Sequence, residues 1–435
     1  MDTLFKGVTA VTMDKCRPVV QDAYIGVHAG KISYIGTQPP KEKAGHEIDG
    51  RGKILMPGLC NAHTHLAMTI LRGYADDDLL QDWLFQKIFP VEAHFTPRTA
   101  RAGALLACME SIRFGVTSLT CMDPFIPAIA DACFEAGIKA NIGNGYLCVD
   151  RDRYDFNADQ TTLQNREMLD RWHGADNGRI RLDASVHGEY TSFGRVWADA
   201  ARFARDNGLN MHIHLSETES EHRECIARHG KTPAAVLDSY GLFETRATVA
   251  HAVWVSDEDI DLLASRRAVV AHNPVSNLKL GSGVAPVRTM REKGLRVALG
   301  TDSVASNNSL DLFEEIKLSL LLQKGLTRDP SCATAADALL CATVNGAFAQ
   351  GREEECGVIR EGMDADLILL DCRAPQLIPM HNPLSILAYS SSGRDVCLTM
   401  VRGKTLYQDG RFMTIDFERL MHELDGFVMP HVFGA

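Results

Sequence analysis

Four short segments of this chain carry side chains that can bind a cation and move protons. They are His63-Thr64-His65, Met211-His212-Ile213-His214-Leu215-Ser216-Glu217, Ala250-His251-Ala252 and Leu299-Gly300-Thr301-Asp302. Residues two apart on a strand point to the same side, so each His-x-His pair can face one interior. Imidazoles with one carboxylate form a common ligand set for a catalytic divalent ion that keeps a position open for water. Such an ion lowers the pKa of its water from about 16 to about 7, which is hydrolytic chemistry at neutral pH. One His-x-His alone would carry little weight. Here each segment ends an apolar, β-rich run, and that shared placement is the stronger signal.

Residues so far apart in sequence need a scaffold that gathers strand ends. Apolar runs at 54–63, 116–120, 139–142, 181–186, 210–215, 248–251, 268–271 and 296–299 alternate with amphipathic stretches. Pro97 to Phe114 reads as one helix, and Leu310 to Lys324 as another, with Ser306-Asn307-Asn308-Ser309 as its capping segment. Eight strands alternating with helices predict a (β/α)8 TIM-type barrel, whose functional residues collect at the C-terminal rim of the strands. A doubly wound open sheet ranks behind it, because no Gly-rich phosphate loop follows the first strand. The chain ends differ in character. Ala23 to Val27, Lys31 to Ile35, Ala365 to Leu370 and Leu398 to Gly403 read as short strands, with a turn at Tyr407-Gln408-Asp409-Gly410-Arg411. A few strands at either end cannot bury a core alone, so they are expected to join into one small composite β-sandwich domain. The expected division is residues 1–56 and 353–435 for the β domain, with its C-terminal tail, and 57–352 for the barrel.

Composition sets outer limits. At 435 residues, 45% hydrophobic and 23% charged, the chain suits a large globular barrel with an appendage. A net charge of −11 argues against nucleic acid and anionic membrane as partners. The twelve cysteines are scattered from Cys16 to Cys397 with no Cys-x-x-Cys. No signal-peptide pattern opens the sequence, and no apolar run is long enough to span a bilayer. A cytoplasmic protein with reduced thiols and no structural disulfides is the expectation.

In detail the motifs resemble the amidohydrolase superfamily, and within it the mononuclear deaminases of adenine, guanine and related rings. Pro57 to His65, His214-Leu215-Ser216-Glu217-Thr218 and Gly300-Thr301-Asp302-Ser303 match in type, order and spacing, and Gly357 to Asp371 resembles the family's return to the small domain. The resemblance implies one divalent ion, Zn2+ before Fe2+, held by His63, His65, His214 and Asp302. A lysine resembling the bridging ligand of two-metal members is missing from the strand ends, and the Pro-Cys-x-x-Cys of the other zinc deaminase class is absent. By the same resemblance, Glu217 passes a proton to a ring nitrogen and Asp302 takes one from water. His251 hydrogen-bonds the attacking water. His212 is read as a supporting residue and His272 as a shaper of the rim, while His94, His173, His222 and His229 are placed at the surface.

The regions around Asp82-Trp83-Leu84, His272 to Leu280 and Ser303 to Phe313 are most similar to the 5-methylthioadenosine/S-adenosylhomocysteine deaminases. That likeness implies a small-molecule nucleoside substrate, with Trp83 packing on it, Glu92 accepting ribose hydroxyls and His187 beside the ribose. A homo-oligomer is expected. Val186-His187-Gly188-Glu189-Tyr190 departs from the family's commoner His-x-Pro-Tyr and puts Glu189 near the pocket rim. A homocysteine carboxylate would need an arginine, for which Arg151 and Arg153 are the candidates. Rival readings are a guanine or 8-oxoguanine deaminase, a triazine hydrolase, and a non-catalytic barrel scaffold.

Overall fold

The computed structural model describes residues 1–434. Five strands open the chain: β1 (Thr3–Val11), β2 (Val19–His28), β3 (Lys31–Gly36), β4 (His46–Asp49) and β5 (Lys53–Pro57). The central strands are β6 (Leu59–His65), β7 (Val116–Met122), β8 (Lys139–Gly143), β9 (Gly145–Tyr146), β10 (Ile180–Leu182), β11 (Ala184–Val186), β12 (Met211–Leu215), β13 (Ala247–His251), β14 (Val269–His272), β15 (Arg296–Leu299) and β16 (Asp302–Ser303). Four more close the chain: β17 (Leu367–Asp371), β18 (Val396–Val401), β19 (Lys404–Gln408) and β20 (Arg411–Phe412).

The two chain ends share one nine-stranded sheet in the order β20-β19-β18-β17-β5-β1-β2-β3, with β4 also on β1. Its seam is the antiparallel pair β5 and β17, registered Ile54 to Leu370. Phe5, Ile25, Leu55, Leu367, Leu369 and Leu398 pack together beneath it. The apolar run at 54–63 is therefore two strands rather than one. It breaks at Gly58, where a Cβ would lie 2.1 Å from Thr117 Oγ1. The half before the break joins the β sheet, and the half after it starts the barrel.

The central strands form two parallel arcs, β10-β8-β7-β6-β16 and β15-β14-β13-β12-β11-β9. The chain itself joins them. β8 passes into β9 through Asn144, β10 into β11 through Asp183, and β15 into β16 through Gly300 and Thr301. Counted along the chain these are eight staves of a (β/α)8 barrel. Helices such as Pro97–Arg113 and Leu312–Thr327 cover its outside. The second helix starts later than its sequence suggests, because the Asp311 carboxylate accepts the Phe313 N–H at 3.0 Å. A carboxylate at that position satisfies a free amide and favours the positive end of the helix dipole, whereas Ser306 and Asn307 lie within a separate short helix, Val304–Asn307.

At the opposite, N-terminal end of the barrel, the buried Lys139 ammonium lies 2.8 Å from Asp364, 2.7 Å from Asp366 and 3.3 Å from Glu355. This cluster ties the barrel floor to the β sheet, a stabilising role suited to that face. The cysteines are free thiols, and among the described residues no helix is long and apolar enough to cross a membrane.

Candidate active site

The C-terminal strand ends open into a cavity of about 630 Å³. Four imidazoles and one carboxylate meet at its floor: His63 and His65 from β6, His214 from β12, His251 from β13 and Asp302 from β16. Asp302 Oδ1 lies 3.2 Å from His63 Nε2 and 3.3 Å from His65 Nε2. The His65 and His214 Nε2 atoms are 3.3 Å apart.

Each ring is fixed through its other nitrogen. His63 Nδ1 meets His212 Nε2 at 3.0 Å, His65 Nδ1 bonds the Met122 carbonyl, His214 Nδ1 bonds the His187 carbonyl at 2.6 Å, and His251 Nδ1 bonds Asn277 Oδ1 at 2.8 Å. Asp302 Oδ2 accepts from Ser276 at 2.6 Å and from Ser306 at 2.9 Å. Partners of this kind set the tautomer and aim the free atom at an ion. His63 Nε2 is buried with its hydrogen-bonding capacity unused. Burial opposes a charge on His65, yet the Asp302 carboxylate lifts it to about 9. Burial would raise the Asp302 carboxyl, but His63 and His65 outweigh it and hold it well below the usual range. These residues fit a divalent cation, since burial keeps His63 and His214 neutral and their lone pairs converge with the Asp302 carboxylate.

The backbone that aims these groups is bent sharply. Ser216, His251, Ala252 and Asp302 all have positive φ, at 47°, 73°, 46° and 61°. Residues with a Cβ pay about 1–3 kcal/mol for such conformations, which cluster at functional sites. Gly300 permits the last bend: a Cβ there would sit 2.8 Å from the His63 carbonyl oxygen and 2.4 Å from Asn273 Oδ1.

Glu217 lies beside the cation cradle, 3.6 Å from His251 Nε2 and 3.4 Å from Ser282 Oγ. Burial raises its carboxyl above the ordinary range, so it holds a proton more readily than a free glutamate. Farther up the wall are Trp83, Glu92 and His187. The Trp83 indole N–H donates to the Ala75 carbonyl at 3.1 Å, and the side chain lines the cavity. Burial pushes Glu92 up to about 7 and His187 down to about 3, so His187 is neutral near pH 7.

The structure brings nine of the eleven sequence candidates to the cavity or its floor and leaves two outside. Arg153 pairs with Asp150 at 3.2 Å, and Arg151 lies over the Phe193 ring at 5.5 Å; neither lines the cavity. Glu189 is also corrected. It is buried away from the rim, with Arg228 at 2.5 Å and His229 at 2.9 Å, because a carboxylate there finds a guanidinium and an imidazole at the end of the helix Glu219–His229. His272 is buried at the end of β14 and does not shape the rim. His212 does support a neighbour, backing His63.

Two acids escaped the sequence reading. Asp123, just past the end of β7, lines the cavity and accepts the Leu66 and Ala67 N–H groups at 2.8 and 3.0 Å. Its position at a strand end was the available signal. Glu221 accepts two amides of the turn that carries Glu217, and Thr218-x-x-Glu221 reads only as a helix start.

A barrel with this cation cradle and a buried acid beside it defines a metal-dependent hydrolase. Comparison with known proteins agrees. A model of the amidohydrolase family matches residues 54–406. A 5'-deoxyadenosine deaminase of Methanosarcina mazei is 40% identical over 97% of this chain and 96% of its own length. A 5-methylthioadenosine/S-adenosylhomocysteine deaminase of Dictyoglomus thermophilum is 41% identical over 98% of each. The crystal structure of a zinc-bound adenosine deaminase from Xanthomonas campestris superposes with a TM-score of 0.91 at 29% identity, covering 100% of this chain and 99% of that one. The chain belongs to the amidohydrolase family.

Proposed function

We propose that this enzyme hydrolytically deaminates the adenine ring of 5'-modified adenosines such as 5'-deoxyadenosine and 5'-methylthioadenosine, releasing ammonia. The observation that carries this reading is the meeting of the cation cradle and protonatable Glu217 at the floor of a cavity large enough for a nucleoside. Relatives about 40% identical over nearly the full length, named for this chemistry, support it over a guanine deaminase or triazine hydrolase. A catalytically silent scaffold would have no use for the strained turns.

His63, His65, His214 and Asp302 are the residues that would hold the ion, and the zinc in the Xanthomonas relative favours zinc over iron. When bound, the ion supplies the Lewis acidity that makes water nucleophilic near neutral pH. The chain's own groups do the rest. Glu217, whose carboxyl is raised by burial, gives a proton to a ring nitrogen, which makes the amino-bearing carbon electrophilic. Asp302 accepts the proton that water loses, and His251 hydrogen-bonds the oxygen as it adds. Asp302 then passes its proton to the amino group, the carbon–nitrogen bond breaks as ammonia leaves, and the hydroxyl proton returns to Glu217 as the ring carbonyl forms. General acid–base steps of this kind contribute about 10²–10⁴-fold each. Trp83 packs on the nucleoside, Glu92 receives ribose hydroxyls, and neutral His187 lies beside the sugar.

A panel of nucleosides and free bases, read by ammonia release and the ultraviolet shift from adenine to hypoxanthine, tests the reading. Turnover of adenosine derivatives is expected. Preference for guanine, or no turnover by metal-loaded enzyme, would overturn it.

A further inference from the structure

The cavity's charge is lopsided. Its ionisable acids are Glu92, Asp123, Glu217 and Asp302, and among the described residues no lysine or arginine lines it. On the wall formed after β7 and around β9, Asp123 is the one ionisable group among the described residues, and the other polar groups are neutral: Asn144, Gln160, Thr161 and Gln164, set among Phe125 and Leu147. Asn144 donates to Gln164 Oε1 at 3.3 Å, and that oxygen also receives the Ile126 N–H at 3.2 Å. Gln160 opens the helix Gln160–Arg171 and is exposed. The two arginines of the neighbouring loop are turned elsewhere, Arg153 to Asp150 and Arg151 over Phe193.

We infer that the enzyme selects adenosines whose 5' substituent is small and carries no carboxylate, and discriminates against S-adenosylhomocysteine. This rests on the nucleoside-deaminase reading above. The catalytic floor fixes where the ring lies, so the 5' group must extend along the remaining wall. A methyl or methylthio group there meets apolar surface and neutral amides. A homocysteinyl group brings a carboxylate to a cavity lined by no lysine or arginine among the described residues, where it finds none of the charge-assisted bonds that repay its lost hydration. Sites discriminate most strongly when a polar group is left unpaired. Gln160 and Thr161 are the specificity-determining positions, because a cation at either would face the cavity from its exposed edge.

The test compares kcat/KM for 5'-deoxyadenosine, 5'-methylthioadenosine, S-adenosylhomocysteine and the thioether analogue that keeps the aminopropyl chain but lacks the carboxylate. The expected result is a loss of about 10-fold or more for S-adenosylhomocysteine, most of it recovered by the analogue without the carboxylate. Gln160→Arg should raise the ratio of S-adenosylhomocysteine to methylthioadenosine turnover by about 10-fold. Equal use of S-adenosylhomocysteine and methylthioadenosine by the wild type would overturn the inference while leaving the deaminase reading intact. So would an equally poor analogue, which would make length rather than charge the determinant. If none of the four is deaminated, the deaminase reading itself fails.

Discussion

The two oxygens of the Glu221 carboxylate accept the N–H groups of two successive residues, Ser216 at 2.8 Å and Glu217 at 2.7 Å. Ser216 is at positive φ, so this bidentate clamp holds a strained turn at the point where Glu217 is presented. Removing it leaves two buried amides unpaired, a loss of about 1–3 kcal/mol each. Glu221→Ala should therefore lower kcat by about 10-fold or more with KM nearly unchanged. Glu221→Gln, which keeps one acceptor oxygen, should recover part of the loss. Metal content should match wild type in both. A change in KM alone would argue against a positioning role.

Glu217→Gln keeps the shape of the side chain but cannot deliver a proton. It should reduce kcat by at least about 10²-fold while the ion stays bound. Turnover near the wild-type rate would mean that another group supplies the proton.

Metal removal tests the cradle directly. Elemental analysis should find about one divalent ion per chain, and exhaustive chelation should abolish activity, with zinc restoring it. Two tightly bound ions would require ligands beyond the cluster at the floor.

Glu92 gives a pH signature. Burial raises its carboxyl from the ordinary 4.5 to about 7, so it is protonated below that pH and becomes a carboxylate as pH rises through it. The carboxylate is the stronger acceptor of ribose hydroxyls. KM for the nucleoside should therefore fall between about pH 6 and 8, and Glu92→Gln should flatten that dependence. Stability has the opposite sign. From about 4.5 to 7 the folded chain binds a proton that the unfolded chain has released, so this residue's contribution falls as pH rises across that window. Glu92→Gln should accordingly gain stability relative to wild type above pH 7, as read by thermal melts. A KM profile identical in the variant would dissociate Glu92 from the sugar.

What the sequence determined by itself was the periodic skeleton and the chemistry-bearing strand ends. Alternating apolar and amphipathic runs carry the barrel. His63, His65, His214, His251 and Asp302 stand where such runs stop, so the rule that barrels act at their C-terminal rim was enough to group them. For Glu217, two residues past a strand, the role came from the family resemblance rather than from any local pattern. Tertiary structure decided the rest, because it depends on which remote groups compete for each other. At the break, Gly58 leaves no room for a Cβ against Thr117, fifty-nine residues further along the chain, a closeness that no periodicity contains. Arg151, Arg153 and Glu189 are ordinary charged residues in sequence. Whether a charge faces a cavity depends on its nearest countercharge or ring, and Asp150, Phe193, Arg228 and His229 drew these three away. Glu221 clamps a turn only because that turn folds back over its own helix start. A charge or hydrogen bond acts through distance in space, and only the folded chain fixes that distance.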